Sequence, residues 1–326
     1  MRVPFPSVPA PAADSAGAPP PDPAGRIPRM GKMRFIFNLH SGRSGRNARL
    51  LPLLRDFIAS RSLDADLHVT EGPGHATLLA LEAVREGCGR VVAVGGDGTV
   101  NEVAQALRFT PSVLAIVPSG SGNGLARHLR LPQAPADALA LAAAPVSRVS
   151  AVDTGAVNGR PFFNAMGLGL DADISRRFNR LTRRGLPAYA RTALAAFAAR
   201  TSERCIVSAV GRPEEMEILF LAIANSDQYG NGAVIAPGAR ADDGLLDLVA
   251  VSPVGPVGAA FLAARLFLGS FDRSRHVRRL RGARFSIERS APGEIHTDGE
   301  VHSAAALLEV TVHPRSLQIL TGCHMP

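Results

Sequence analysis

The segment that most constrains this chain is a short apolar run that leads through three glycines into a helical pattern. Residues 90–94 are rich in β-branched side chains and predict a buried parallel strand. Apolar residues between positions 100 and 107 then recur at the spacing of one helix face. The glycines between the two elements allow a sharp turn and leave N–H groups free at the helix N-terminus, where anions bind. This order of elements predicts a phosphate-binding turn.

Asp97 lies between two glycines of this turn, where a side chain has no packing role. A carboxylate beside a phosphate is repelled unless Mg²⁺ or a reacting hydroxyl lies between them. Asp97 is therefore a candidate catalytic residue. The alternative is a tight strand-to-helix turn in which the aspartate only caps the helix.

Strand-like and helical patterns alternate from residue 33 to residue 148. Strands are predicted at residues 34–37, 67–70, 90–94 and 113–117. This alternation predicts a doubly wound α/β domain with a parallel sheet. Polar glycine loops follow the first and fourth strands as well, and ligands of such sheets bind beyond the carboxyl ends of the strands.

Beyond residue 149 the pattern changes to short strand-like runs, with turns at Asn158-Gly159 and Asp243-Gly244. These runs predict a mainly antiparallel β domain over residues 149–306, following a nucleotide-binding domain over residues 33–148. Two helical segments, about residues 173–200 and 257–271, are expected to lie on the β domain.

The net charge of +8 is carried by arginine, since Lys32 is the only lysine. Such a surface suits phosphates or an anionic membrane. With no tryptophan and two tyrosines, the chain lacks the aromatic residues that stack on nucleic-acid bases. Seven arginines fall within residues 176–200 and seven within residues 265–284. These runs predict peripheral contact with anionic lipid headgroups, or else a solvated basic face.

Residues 1–32 hold nine of the 25 prolines and predict a disordered extension, with Met30 or Met33 as alternative translation starts. The three cysteines are isolated and show no metal-binding spacing, which favours a reducing, cytoplasmic compartment. No apolar run reaches the roughly 20 residues that cross a bilayer. Any membrane association is therefore expected to be peripheral.

Residues 94–103, Val-Gly-Gly-Asp-Gly-Thr-Val-Asn-Glu-Val, resemble the nucleotide loop shared by diacylglycerol and sphingosine kinases, NAD kinases and phosphofructokinases. The Pro-Ser-Gly-Ser-Gly-Asn segment at residues 118–123 and the Asp-Gly-Glu triplet at residues 298–300 resemble the lipid kinase branch. The resemblance covers about residues 33–320. It implies ATP-dependent phosphorylation of a primary hydroxyl on a lipid such as diacylglycerol.

The resemblance also implies a set of nucleotide-binding residues around the glycine loops. They are Asn38, Leu39, His40, Ser41, Gly42, Thr70, Gly95, Gly96, Asp97, Gly98, Thr99, Val100, Asn101, Glu102 and Ser121.

Further roles are carried over from the same resemblance. Glu300 is the implied general base, ahead of Asp298, which is expected to orient metal or substrate beside Asp97. A structural Mg²⁺ is implied at the side chain of Asp243, with backbone carbonyls near Arg240 and Leu245. The chain end, residues 307–326, is expected to return to the first domain.

Several alternatives stay open on the sequence. They are a soluble NAD kinase-like enzyme, a kinase of sphingoid bases or ceramide, and an inactive lipid-binding regulator. The nucleotide donor and the oligomeric state, with a homodimer as one option, are open too.

Overall fold

The structure is a computed structural model, and it describes residues 31–39, 41, 46–145, 148–179, 192, 195–197, 202–209 and 211–322. The expected extension at residues 1–32, apart from its last two residues, lies outside this part of the chain. So do His40, Gly42 and most of the arginine run between residues 176 and 200.

The helices are α1 Arg46–Ser60, α2 His75–Arg85, α3 Asp97–Leu107, α4 Gly124–His128, α5 Pro135–Ala142, α6 Leu170–Asn179 and α7 Pro256–Phe267, with a 3-10 helix at Phe271–Arg273. The strands are β1 Met33–Phe37, β2 Ala65–Val69, β3 Arg90–Gly95, β4 Val113–Pro118, β5 Arg148–Val157, β6 Arg160–Phe162, β7 Ala165–Gly169, β8 Glu203–Ala209, β9 Arg212–Ile218, β10 Phe220–Ala224, β11 Gln228–Gly230, β12 Ala233–Val234, β13 Leu246–Val251, β14 Val277–Gly282, β15 Arg284–Arg289, β16 Gly293–Thr297, β17 Glu300–Ala304 and β18 Leu307–Thr321.

The first four strands form a parallel sheet in the order β2-β1-β3-β4. Strands β1, β3 and β4 are buried along their whole length. Because successive side chains point to opposite faces, Ile36 packs with Leu79 of α2, while Phe35 packs with Leu54 of α1. Helices therefore cover both faces of this sheet, as the alternating sequence pattern predicts.

Strand β18 joins the two halves of the molecule. Its first half pairs antiparallel with β15, and its last residues pair with β5 and meet β4 in parallel at Ile319 and Leu114. The parallel strands and the antiparallel strands consequently belong to one ten-stranded sheet. The return of the chain end to β4 is consistent with the expected completion of the first domain, and the domain boundaries themselves stay a prediction.

A second sheet of six antiparallel strands runs in the order β14-β13-β10-β7-β16-β17. Its inner face packs against the antiparallel part of the large sheet through Met166, Leu248 and Phe285, among others. Its outer face is covered by α6 and α7, with Leu262 of α7 buried against Val249.

The predicted fold class, a doubly wound α/β half followed by a mainly antiparallel β half, is confirmed. The predicted helix at residues 257–271 ends early, at Phe267, and the short helices α4 and α5 were not predicted. They are five and eight residues long, too short to show the helical recurrence of apolar residues that sequence reasoning uses.

Candidate active site

The candidate site lies where β1, β3 and β4 end, at one edge of the parallel sheet. Asn38, which follows β1, donates from Nδ2 to Thr99 Oγ1 in the first turn of α3, at 3.0 Å. Ser41 and Ser119 share a hydrogen bond of 3.0 Å between their hydroxyl oxygens. These bonds hold the ends of the three strands together, as expected for a ligand-binding edge.

The two glycine loops pack against each other backbone to backbone. A Cβ added at Gly120 would lie 2.5 Å from Cα of Gly96, which is closer than any side chain can approach. A Cβ at Gly95 would collide with Thr99. At Gly98, by contrast, an added Cβ meets no atom within 4 Å, so the N-terminus of α3 is open beside this residue. Gly95, Gly96 and Gly120 are therefore required for close packing, whereas Gly98 leaves space for a ligand.

Asp97 turns its carboxylate toward the second loop. Its two oxygens accept hydrogen bonds from the backbone N–H groups of Asn123, at 2.8 Å, and Gly124, at 2.7 Å. Burial raises the pKa of Asp97, whereas these donors act in the opposite direction. In this arrangement the carboxylate braces the two loops, and its catalytic role stays a prediction.

Glu102 lies one turn further along α3 and reaches the start of α2. Its carboxylate accepts backbone N–H bonds from Gly74, at 2.9 Å, and Ala76, at 3.0 Å. The Glu102 side chain thus caps α2, which has no cap from its own residue Gly74. Among the other expected nucleotide residues, Val100 is buried in the core, so only its backbone can face a ligand.

Of the remaining expected residues, Thr70 is buried at the end of β2, while Leu39 and Ser121 are exposed and Asn101 is half-buried. These residues lie on the same loops or on the strand ends beside them. Whether they contact a nucleotide stays a prediction.

Asp298 occupies the turn between β16 and β17 with a left-handed backbone, φ 50°. Its carboxylate accepts three backbone N–H bonds, from Phe163 at 2.8 Å, Asn164 at 2.7 Å and Ala165 at 3.0 Å. Burial nevertheless raises its pKa to about 6. Asp298 therefore anchors the turn to the segment that leads into β7.

Glu300 is exposed at the start of β17, two residues beyond this anchor. Desolvation of the carboxyl raises its pKa, and the negative charge of Glu102 acts in the same direction. The two carboxylates, one from each half of the molecule, are therefore close enough for their charges to interact. Glu300 is the exposed acid of the Asp-Gly-Glu triplet, and its role as the base stays a prediction.

Two family models match the chain in succession. The model of the diacylglycerol kinase catalytic domain matches residues 32–157, and that of the YegS C-terminal NAD kinase beta sandwich-like domain matches residues 164–321. The chain belongs to the family of YegS-like and diacylglycerol kinase lipid kinases. The resemblance drawn from the sequence motifs is therefore confirmed.

Relatives cover almost the whole chain. A "Probable lipid kinase YegS-like" protein of Pseudomonas aeruginosa strain UCBPP-PA14 is 32% identical over 301 residues, or 91% of this chain and 96% of that protein. A diacylglycerol kinase of Bacillus subtilis strain 168 is 26% identical over 278 residues, or 83% and 90%. The crystal structure of a diacylglycerol kinase from Bacillus anthracis strain Sterne matches with a TM-score of 0.70 at 21% identity, covering 92% of this chain and 100% of that one. This last likeness shows the shared fold.

In this member of the lipid kinase family a buried polar cluster, which sequence reasoning missed, lies behind the Asp-Gly-Glu turn. Asp171 Oδ2 accepts a hydrogen bond from the hydroxyl of Tyr229, at 2.6 Å, and lies 2.9 Å from Nε2 of His296. The other ring nitrogen of His296 accepts the N–H of Gly299 at 3.3 Å. The one available signal was the position of His296, two residues before Asp298 on a predicted strand.

A second missed group joins the β half to the second glycine loop. Nδ1 of His128, on α4, lies 2.8 Å from an oxygen of Asp227. The side-chain oxygen of Asn164 accepts a 2.6 Å bond from the hydroxyl of Ser226, and a Cβ at Gly124 would collide with the Asn164 amide. The glycine loops of this lipid kinase are thus supported from both halves of the fold.

The expected Mg²⁺ turn has a different arrangement from that implied by the resemblance. Asp243 accepts the N–H of Leu245 at 3.0 Å and forms an ion pair with Arg281, and Arg240 is paired with Asp242. No group of three or more histidine, cysteine, aspartate or glutamate side chains in the described part of the chain could hold a metal ion. As arranged, the Asp243 carboxylate pairs with a guanidinium where the resemblance implies a metal ion, so the side chain does not fit Mg²⁺ unless Arg281 moves away.

Within the described ranges, no helix is long and apolar enough to cross a membrane.

Proposed function

We propose that this chain transfers the γ-phosphoryl group of ATP to a primary hydroxyl of a lipid, with diacylglycerol as the favoured substrate. The observation that carries the proposal is the open N-terminus of α3 at Gly98, on the same helix as Glu102, whose charge raises the pKa of the exposed Glu300. Membership in the lipid kinase family supports the reaction class. The nucleotide and the lipid are the finer parts of the proposal.

The phosphates are proposed to bind at the first turn of α3. Backbone N–H groups there are not used within the helix, and the helix dipole favours negative charge at this end. Asn38 and Thr99, joined by their hydrogen bond, line the same edge. The bracing contact of Asp97 keeps the two glycine loops at a fixed spacing, so this anion site is formed before the nucleotide arrives.

Glu300 is proposed as the general base. It accepts the proton of the lipid hydroxyl as the hydroxyl oxygen bonds to the γ-phosphorus, and the bond from that phosphorus to the leaving oxygen of ADP breaks. A raised pKa brings a carboxylate closer to the value that suits a base near neutral pH. Asp298 holds the turn that presents Glu300, through its three backbone contacts.

Mg²⁺ bound with ATP would neutralise charge on the phosphates. The side chain of Asp97 is already bonded to two backbone groups, so we assign no protein ligand to that ion. The lipid substrate places the reaction at a membrane surface, and we propose peripheral contact with anionic lipid there.

The test is turnover with γ-labelled ATP and mixed micelles that contain diacylglycerol, phosphatidylglycerol, a sphingoid base or ceramide. A parallel reaction replaces the micelles with NAD⁺ in the same buffer. We expect label in a lipid product, identified by mass spectrometry, and none in NADP⁺. Label in NADP⁺ alone would favour the NAD kinase-like alternative, and lipid binding without any product would favour an inactive regulator.

A further inference from the structure

Helix α7 exposes an almost entirely apolar surface. Val257, Phe261 and Leu268 are 72%, 67% and 77% exposed, and Phe267 is 46% exposed. Val257, Phe261 and Leu268 are spaced by four and seven residues, so they lie on one side of the helix. Single exposed apolar residues are common, but a contiguous group of large ones marks an interaction surface. We call these four residues the α7 apolar face.

The α7 apolar face is held rigidly on the fold. On the opposite side of the helix, Leu262 is buried in the core beneath the six-stranded sheet, together with Phe271 of the 3-10 helix. The helix ends in a left-handed Gly269, and the N–H of Ser270 bonds back to the carbonyl of Arg265 at 3.0 Å. Leu268 is therefore fixed at the end of the apolar face by the helix terminus.

Basic residues beside the face supply complementary charge for an anionic surface. Three arginines of the run at residues 265–284 are committed to acids on the fold: Arg278 to Glu214, Arg279 to Asp247 and Asp272, and Arg281 to Asp243. Arg273 and Arg275, just beyond α7, are exposed, and within the described ranges neither forms an ion pair with an acid. Their charge is available to a partner.

We infer that the α7 apolar face inserts into the headgroup region of an anionic lipid bilayer, with Arg273 and Arg275 binding the headgroups around it. A helix that lies on a membrane places apolar side chains at the acyl boundary and basic ones among the phosphates. The sequence alone predicted that arginines hold the protein on the membrane surface without insertion. The structure adds an apolar face that inserts. The inference depends on the proposed lipid kinase function for its purpose, and it is tested separately from catalysis.

The location of the face supports this use. Leu262 and Leu266 of α7 belong to the same apolar layer as Leu170 at the start of α6 and as Tyr229, which bonds to Asp171 behind the Asp-Gly-Glu turn. The α7 apolar face is thus connected, through this apolar layer, to the polar cluster behind the turn of Glu300.

The experiment uses the absence of tryptophan from the chain. Phe261→Trp places one fluorescent reporter on the face, and Phe109→Trp places another at a site that is also 67% exposed but lies in the parallel-sheet half. With vesicles of equal parts phosphatidylcholine and phosphatidylglycerol, we expect a blue shift and quenching by brominated acyl chains for Phe261→Trp only. No shift for Phe261→Trp, or an equal shift for both reporters, would overturn the inference.

Further variants separate the two contributions. Phe261→Ser with Leu268→Ser should weaken vesicle affinity by at least about ten-fold even in high salt, because apolar transfer is not screened. Arg273→Gln with Arg275→Gln should remove most of the salt dependence instead. If the serine pair binds vesicles like the unchanged protein, the inference is wrong.

Two controls keep the result distinct from the proposed kinase function and from other occupants of the face. Phosphorylation of a short-chain diacylglycerol in solution should be unaffected in the serine pair, whereas failure of the proposed function would abolish it in every variant. A blue-shifted Phe261→Trp emission without vesicles would mean that protein covers the face. If that blue shift depends on protein concentration, the covering protein is a second copy of this chain. If it does not, the cover is another segment of the same chain. Either result would overturn the inference.

Discussion

The carboxylate of Asp97 accepts a 2.7 Å hydrogen bond from the backbone N–H of Gly124, and this contact ties the first glycine loop to the second. The loops follow neighbouring parallel strands, and Gly96 packs directly on Gly120. The contact therefore sets the width of the edge where we propose that the phosphates bind. Asp97 thus shapes that site.

Asp97→Ala should lower both stability and ATP affinity. The N–H groups of Asn123 and Gly124 would lose their acceptors in a buried setting, at a cost of about 1–3 kcal/mol for each group. Urea unfolding and equilibrium ATP binding measure the two effects. Asp56→Ala, on the exposed side of α1, is the matched control and should stay within about 0.5 kcal/mol. Equal unfolding curves for the two variants would contradict the bracing role.

Glu300→Gln should preserve ATP binding and the melting temperature but reduce turnover by about 10²–10⁴-fold, the contribution of a positioned base. The substitution keeps the size of the side chain and removes its basicity. Steady-state kinetics with a lipid substrate and ATP give the rate. A near-normal rate for this variant, beside an inactive but well-folded Asp298→Asn, would transfer the role to Asp298.

On the acidic side of the pH–rate profile, activity should fall at a higher pH than the pKa of an ordinary glutamate would give. A base works only when deprotonated, and both desolvation and the charge of Glu102 raise the pKa of Glu300. Activity is therefore expected to fall on acidification at a higher pH than usual. Glu102→Gln removes one negative charge and should move this fall in activity to lower pH. An unmoved fall would show that the two carboxylates are not coupled, or that another group is the base.

Asp298→Asn tests the anchor of the Asp-Gly-Glu turn through stability. An asparagine offers one acceptor oxygen where the carboxylate accepts three N–H bonds, so the variant should be less stable. The pKa of Asp298 is raised from 3.8 to about 6, so the folded state binds this proton more tightly than the unfolded state. The stability advantage of the unchanged protein should accordingly grow as pH falls from about 6 toward 4. Thermal unfolding across this range measures it, and a pH-independent difference would contradict the burial of the carboxyl.

Arg281→Gln should expose the turn at Asp243 to cations. In the unchanged protein the guanidinium of Arg281 neutralises this carboxylate, so Mg²⁺ should alter the melting temperature only slightly. In the variant, Mg²⁺ should raise it. Arg278→Gln, on the same strand but paired with Glu214, is the control. A large Mg²⁺ effect on the unchanged protein that disappears in Asp243→Ala would restore the metal site implied by the resemblance.

Local sequence was enough to determine the four parallel strands and the glycine loops of the α/β half. The strand at residues 90–94, the three glycines and the helix that follows are each a pattern of neighbours in the chain, and the structure reproduces them as β3, the loop and α3. The motifs around Asp97, Asn123 and Glu300 were sufficient to indicate the lipid kinase family. These features depend on backbone propensity and on side-chain periodicity, which a sequence displays directly.

Only the tertiary structure decided what the carboxylates do. Asp97 bonds to Gly124, and Asp298 bonds to the backbone at residues 163–165, more than 130 positions earlier in the chain. The same holds for Asp243, whose charge is met by Arg281, and for α7, whose apolar face is exposed in the part of the chain that the structure describes. Hydrogen-bond partners and burial arise from contacts between distant segments, so no local pattern reports whether a carboxylate is free or whether an apolar side chain is covered.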